Sequence, residues 1–90
     1  MTKQQLVDRM AREAKVTKRA AEAALNTFMA GVRGALKRGE RVSLVGFGTF
    51  LVSKRAARNG RDPRTGEFIK IKAMRVPRFR PGQELRNVVR

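Results

Sequence analysis

Arginine recurs at every third position, Arg55, Arg58, Arg61 and Arg64, through a segment whose centre reads Asp62-Pro63-Arg64-Thr65-Gly66. A guanidinium keeps its charge at any physiological pH and presents a planar fork of donors that matches the oxygens of a phosphate. Lys70 and Lys72 follow on the far side of the turn, so residues 54–72 carry seven bases against Asp62 and Glu67, a net of +5 over nineteen residues. Pro63 adds a rigid apolar ring with no backbone donor to lose. These residue types support the gripping of a polyanion rather than the making or breaking of bonds.

The remainder of the chain agrees. It contains no Cys and no His, which removes thiol nucleophiles, disulfides, soft and imidazole metal ligands and the usual general base near neutral pH. Asp8, Glu13, Glu22, Glu40, Asp62, Glu67 and Glu84 are scattered, with no paired-carboxylate or nucleophile arrangement. No catalytic residue, metal site or cofactor is expected. The net charge is +15, from 22 Lys and Arg against 7 Asp and Glu, with a pI near 12.0. Such one-sided charge suits nucleic acid first, with RNA and anionic lipid as competitors to double-stranded DNA. Nowhere do about 18 apolar residues run together, so neither a membrane span nor a signal peptide is expected, and the cytosolic compartment is.

The elements that must hold the cationic segment can be read from periodicity. Thr2 and Gln5 have the spacing of a capping box, and Leu6, Val7, Met10, Ala11 and Ala14 follow at helical spacing, which predicts a first helix over residues 3–14. Thr17 is the N-cap candidate of a longer second helix. Its apolar stripe runs through Ala21, Ala24, Leu25, Phe28, Met29, Val32, Ala35 and Leu36 to an end before Gly39. Gly31 and Gly34 near that stripe predict close approach by another helix, with tolerated surface positions as the alternative.

After Gly39 the period shortens to two. Val42 and Leu44, then Phe50 and Val52, flank a turn at Gly46-Phe47-Gly48 and predict a hairpin with one packed face. Turn chemistry at residues 62–66 and strand formers Phe68, Ile69 and Ile71 predict an extended β-arm over about 54–72 rather than a disordered basic tail. Val76 and Phe79 mark a last strand, and Leu85, Val88 and Val89 a short terminal helix over residues 83–89. The fold class is α+β, in one domain, with residues 1–39 as a helical dimerisation part and 40–90 as sheet, arm and terminal helix. Ninety residues bury only a modest core, so a partner subunit is expected. Phe28, Leu44, Phe47, Phe50 and Phe79 are assigned to the core or to a dimer contact. Phe68, on the arm where core is scarce, is expected to cover the arm's inner face or touch sugar.

Three motifs at this spacing, Gly46-Phe47-Gly48-x-Phe50, Arg61-x-Pro63-x-Thr65-Gly66 and Arg75-Val76-Pro77-x-Phe79, make the chain resemble the HU and integration host factor family of bacterial nucleoid proteins along essentially its whole length. The resemblance implies an intertwined dimer with a compact helical body, a saddle of sheets, and two arms that reach around DNA in the minor groove. It also implies wedging of a proline between base pairs, a behaviour of architectural proteins of which this family is itself an instance. On that basis Pro63 is the intercalating residue. Arg55, Arg58, Arg61, Arg64, Lys70 and Lys72 are the DNA-binding residues of the arm, and Lys3, Arg75 and Arg80 those of the body or saddle. The partners implied are double-stranded DNA, with bent, nicked or flexible DNA preferred, and a second copy of the chain or a paralogue. The location implied is the nucleoid.

Two positions depart from the family's usual pattern. An amide is common at position 62, where Asp62 here removes a donor and adds negative charge beside the wedge. A base is common at position 53, where Ser53 stands here; Lys54 next door would face the other way on a strand. Residues 79–85 resemble integration host factor subunits, whereas the ending at Arg90 resembles HU. The absence of a helix bearing an Asn, Gln or Arg cluster favours binding largely without base readout, with site-specific binding as the alternative.

Overall fold

Thr2 starts the first helix as its spacing predicts: its hydroxyl accepts from the Gln5 N–H at 3.3 Å and the Gln5 side chain accepts from the Thr2 N–H at 2.9 Å. The computed structural model describes the backbone of all 90 residues and the side chains of all but Arg58 and Ile71. Helix α1 spans Lys3–Ala14 and α2 spans Lys18–Lys37, with the Thr17 hydroxyl accepting from the Ala20 N–H at 3.0 Å. Between them Lys15 takes the left-handed conformation, φ 56° and ψ 46°, and closes α1 without a glycine.

The strands are β1 (Val42–Leu44), β2 (Gly48–Arg55), β3 (Arg58–Arg61), β4 (Phe68–Ile71) and β5 (Met74–Pro81), and α3 (Gln83–Val89) ends the chain. The α+β class and the order of elements are those the periodicity predicts. Strands β1, β2 and β5 form a three-stranded antiparallel sheet in the order β1-β2-β5, and β3 and β4 form a separate antiparallel pair. The arm is therefore not one uninterrupted ribbon. The β2–β5 ladder ends at Arg55–Met74, the β3–β4 ladder runs from Arg58–Ile71 to Arg61–Phe68, and residues 56–57 and 72–73 lie between. Pro77 and Pro81 both fall on β5, an edge strand, where a missing N–H can face away from the ladder.

The chain divides into two compact units, Met1–Gly34 and Ala35–Arg90. In the first, Val7, Ala11 and Ala21 are buried together, with Met10 and Leu25 packed against them, so small residues let α1 and α2 approach closely. Lys18 pairs with Asp8 at 3.5 Å across the same two helices. Gly31 has no heavy atom within 4 Å of where a Cβ would stand, so within one chain nothing makes the close approach its type predicts.

In the second unit, Phe79 lies against both Phe47 and Phe50, with ring centroids 5.5 and 4.8 Å apart. Gly48 makes this possible: a Cβ there would stand 2.5 Å from the Phe79 ring and 2.7 Å from the Arg80 carbonyl oxygen. The Gly82 N–H donates to the Phe47 carbonyl at 2.8 Å and seats the start of α3 on the hairpin turn. Leu44 and Phe50 are half-buried, while Phe28, Phe47 and Phe79 remain 42%, 47% and 39% exposed in the single chain.

Candidate nucleic-acid interface

Cross-strand partners in an antiparallel pair point to the same side, and neighbours along a strand to opposite sides. The register therefore sorts the sheet into two faces. Val42, Leu44, Phe50, Val52, Pro77 and Phe79 share one with Lys54 and Arg75. The other carries Ser43, Thr49, Leu51, Ser53 and Arg55 with Met74, Val76, Arg78 and Arg80. One face is apolar over most of its length and the other polar and cationic. An open depression is lined by Leu51, Ser53, Arg78 and Arg80 of the second face together with Phe79 and Pro81. Lys54 lies on the face opposite Ser53, as strand alternation predicts.

The arm continues the cationic character. Asn59 pairs with Lys70 and Arg61 with Phe68, so these four share one face, and Gly60 and Ile69 share the other. Beyond Arg61 the strands close through the Asp62 N–H, which donates to the Glu67 carbonyl at 2.7 Å, and the Gly66 N–H, which donates to the Asp62 carbonyl at 2.8 Å. Gly66 adopts φ +73°, a conformation that costs other residues energy and glycine none. Pro63 sits exposed on this tip, where its fixed φ suits the turn and no N–H is needed.

Asp62 takes part in the turn itself. Its carboxylate accepts from the Arg64 N–H at 2.8 Å, and the Thr65 hydroxyl accepts from the Glu67 N–H at 3.3 Å. The Asp62 side chain is thus engaged with backbone rather than with the Arg61 or Arg64 guanidinium, and an Asx-type turn of this kind needs only the acceptor that Asp and Asn share.

The described bases of the arm have no such engagement with acids. Among the described residues the ion pairs are Lys18 with Asp8 and Arg38 with Glu40, neither of them on the arm. Arg55, Arg61, Arg64, Lys70 and Lys72 are all exposed. Arg61 lies over the Phe68 ring, its guanidinium carbon 5.0 Å from the centroid. The Arg58 backbone is in β3, and its side chain lies outside the described residues.

The body residues expected to bind separate in the structure. Arg80 is exposed on the polar face, beside Arg78, which the β2–β5 register brings to the same side. Arg75 is on the opposite face, where its Nη2 donates to the Leu36 carbonyl at 2.8 Å and lies 3.7 Å from the Cβ position of Gly39. That carbonyl, near the C-terminal end of α2, also accepts from the Gly39 N–H at 3.0 Å, so Arg75 adds a second donor there and ties the base of the arm to that helix end. Lys3 is exposed at the first position of α1, in the other unit. No group of three or more potential metal ligands occurs among the described residues, and none of the described helices is long and apolar enough to cross a membrane.

Comparison with known proteins gives one consistent result. A family model described as bacterial DNA-binding protein matches residues 1–90. DNA-binding protein HU-alpha of Vibrio cholerae is 50% identical over 90 residues, covering 100% of both chains, and DNA-binding protein HU-beta of Escherichia coli K12 is 51% identical over 89 residues, covering 99% of each. Among solved structures, an Anabaena HU–DNA cocrystal structure superposes with a TM-score of 0.90 at 44% identity, covering 99% of this chain and 97% of that one. HU from Thermotoga maritima superposes with a TM-score of 0.72 at 31% identity over the full length of both.

Proposed function

Because the chain belongs to the bacterial DNA-binding protein family, the family of HU, we propose that it is a histone-like nucleoid protein that binds double-stranded DNA largely without sequence readout and bends it. The family is one of DNA-binding structural proteins, not of enzymes. The observation that carries the reading is the set of exposed bases on the arm, Arg55, Arg61, Arg64, Lys70 and Lys72, with no carboxylate partner among the described residues. Cations held out this way are free to displace counterions from phosphates, the main source of sequence-independent affinity.

Pro63 is the wedge of this mechanism. It stands at a tip braced by Asp62 and Gly66, so the ring is presented on a closed turn rather than a loose loop. Entering a base step from the minor groove, it would hold the duplex bent while Arg61 and Arg64 lie along the groove, where the potential is most negative. Arg55, Arg58, Lys70 and Lys72 follow the phosphates along the arm. Arg80, with Arg78, extends the cationic track onto the polar face of the sheet, and Lys3 serves the helical body. Arg75 acts through the arm base by holding it to α2. Asp62 costs the tip one donor while keeping the turn acceptor.

The working unit in this reading is a homodimer. Among the described residues only Val7, Ala11, Ala21 and Ala35 are buried hydrophobic residues in the single chain, and Phe28, Phe47 and Phe79 are left with apolar surface that a second copy would cover. A preference for bent, nicked or flexible duplex follows from the lower cost of deforming such DNA.

The test is affinity for random duplex against salt. Neutralising about 6 to 10 phosphates lowers affinity by about 10³ to 10⁵-fold between 50 and 200 mM salt. A nearly flat response would count against the reading. In the same experiment, a preference for one defined site beyond about 10³-fold would favour a site-specific architectural factor. Equal or tighter binding of duplex RNA would favour an RNA-packaging role.

A further inference from the structure

Phe68 has no structural employment that accounts for it. Of the five phenylalanines, Phe47, Phe50 and Phe79 pack on one another, and Phe28 lies on α2 at 42% exposure. Phe68 is 77% exposed. Its face of the arm carries Arg61, Asn59 and Lys70, while the apolar Ile69 faces the other way. Among the described residues the ring shares its face with polar and cationic side chains, and the Arg61 guanidinium lies 5.0 Å from its centroid.

An aromatic ring has two faces, and a guanidinium occupies at most one. An exposed ring set among cations is the combination by which proteins hold single-stranded nucleic acid: the charges follow the backbone while the ring stacks on a base, whatever that base is. The β3–β4 register sets Phe68 opposite Arg61, directly before the strands close into the turn that carries Pro63. A ring at that place is near wherever the tip interrupts base stacking.

Resting on the DNA-binding reading above, we propose that Phe68 is a specificity-determining residue that stacks on an unpaired or unstacked base, steadied by Arg61, so that the arm favours duplexes with interrupted stacking through a direct contact as well as through their flexibility. Flexibility alone would reward any soft duplex equally. A ring contact rewards an available base.

The experiment compares the wild-type protein with Phe68→Leu and Phe68→Tyr on two duplexes of one sequence, intact and with an unpaired bulge carrying 2-aminopurine. Circular dichroism melts establish that the variants fold, as expected for so exposed a position. Losing a base–aromatic stack is expected to weaken Phe68→Leu on the bulged duplex by about 5- to 150-fold, to weaken it on the intact duplex by clearly less, and to abolish the 2-aminopurine fluorescence change. Phe68→Tyr, which keeps the ring, is expected to retain the preference. Equal losses on both duplexes would overturn the proposal, because the ring would then only orient Arg61; so would unchanged affinity on the bulged duplex. Failure of the wild-type protein to bind even the intact duplex would overturn the DNA-binding reading as well, an outcome distinct from the other two.

Discussion

The helical unit and the arm tip are built on opposite terms. Residues 1–34 are held by buried small side chains, Val7, Ala11 and Ala21, and by helix starts whose capping donors are satisfied. The tip beyond β3 and β4 buries almost nothing. It is shaped by backbone hydrogen bonds around Asp62, by the Asx contact to Arg64 and by a left-handed Gly66. Packing cooperates over many residues, whereas a hydrogen-bonded turn is local. Stability should therefore reside in the body and recognition in the arm, and substitutions should divide accordingly.

Phe28→Glu is the most severe way to sharpen that contrast. A carboxylate on the half-exposed apolar face of α2 cannot be covered by a second copy without losing its hydration. Sedimentation at micromolar protein is expected to show monomer, with DNA affinity falling because two arms no longer act together; a stable dimer would remove Phe28 from the interface. Gly48→Ala comes next, since the added methyl must stand 2.5 Å from the Phe79 ring. Overpacking of this kind costs about 1–3 kcal/mol, or roughly 4–8 °C in Tm per kcal/mol for a domain this small, read from a melt at fixed protein concentration. An unchanged Tm would mean that the Phe47–Phe50–Phe79 cluster is loosely held.

Asp62→Ala, on the other side of the contrast, should leave Tm alone. It removes the acceptor of the Arg64 N–H, a bond worth roughly 1 kcal/mol, so exchange of that amide should quicken about five-fold. A global loss of stability would show that the tip is coupled to the body, and the division drawn here would fail.

Where the chain carries capping residues or a clean period, its structure was legible. Thr2 with Gln5, and Thr17, mark helix starts by hydrogen bonds to residues three positions on, and the alternation about Gly46-Phe47-Gly48 fixes which side of the hairpin packs. The end of α1 at Ala14 followed from the period, but the left-handed conformation of Lys15 that closes it did not, because that conformation is usually a glycine's. The interruption of the arm ladder falls at alanines and a lysine, residues 56–57 and 72–73, which bear no periodic signal either way. Arg75 was hidden for another reason. In a chain with 22 Lys and Arg, one more base reads as one more contact for a polyanion, and its partner, the Leu36 carbonyl, is a backbone atom 39 residues away. The pairing of Arg78 with Arg80 on one face needed only the β2–β5 register, which alternation supplies once Phe79 is known to pack.

The account turns on whether the Pro63 ring, rather than the charge around it, bends the duplex. End-to-end fluorescence transfer on a short duplex, measured for the wild-type protein and for Pro63→Ala at saturating protein, separates the two. The account predicts that Pro63→Ala still binds but leaves the duplex ends clearly farther apart, a larger change in bending than in affinity. Identical transfer efficiency for both proteins would contradict it.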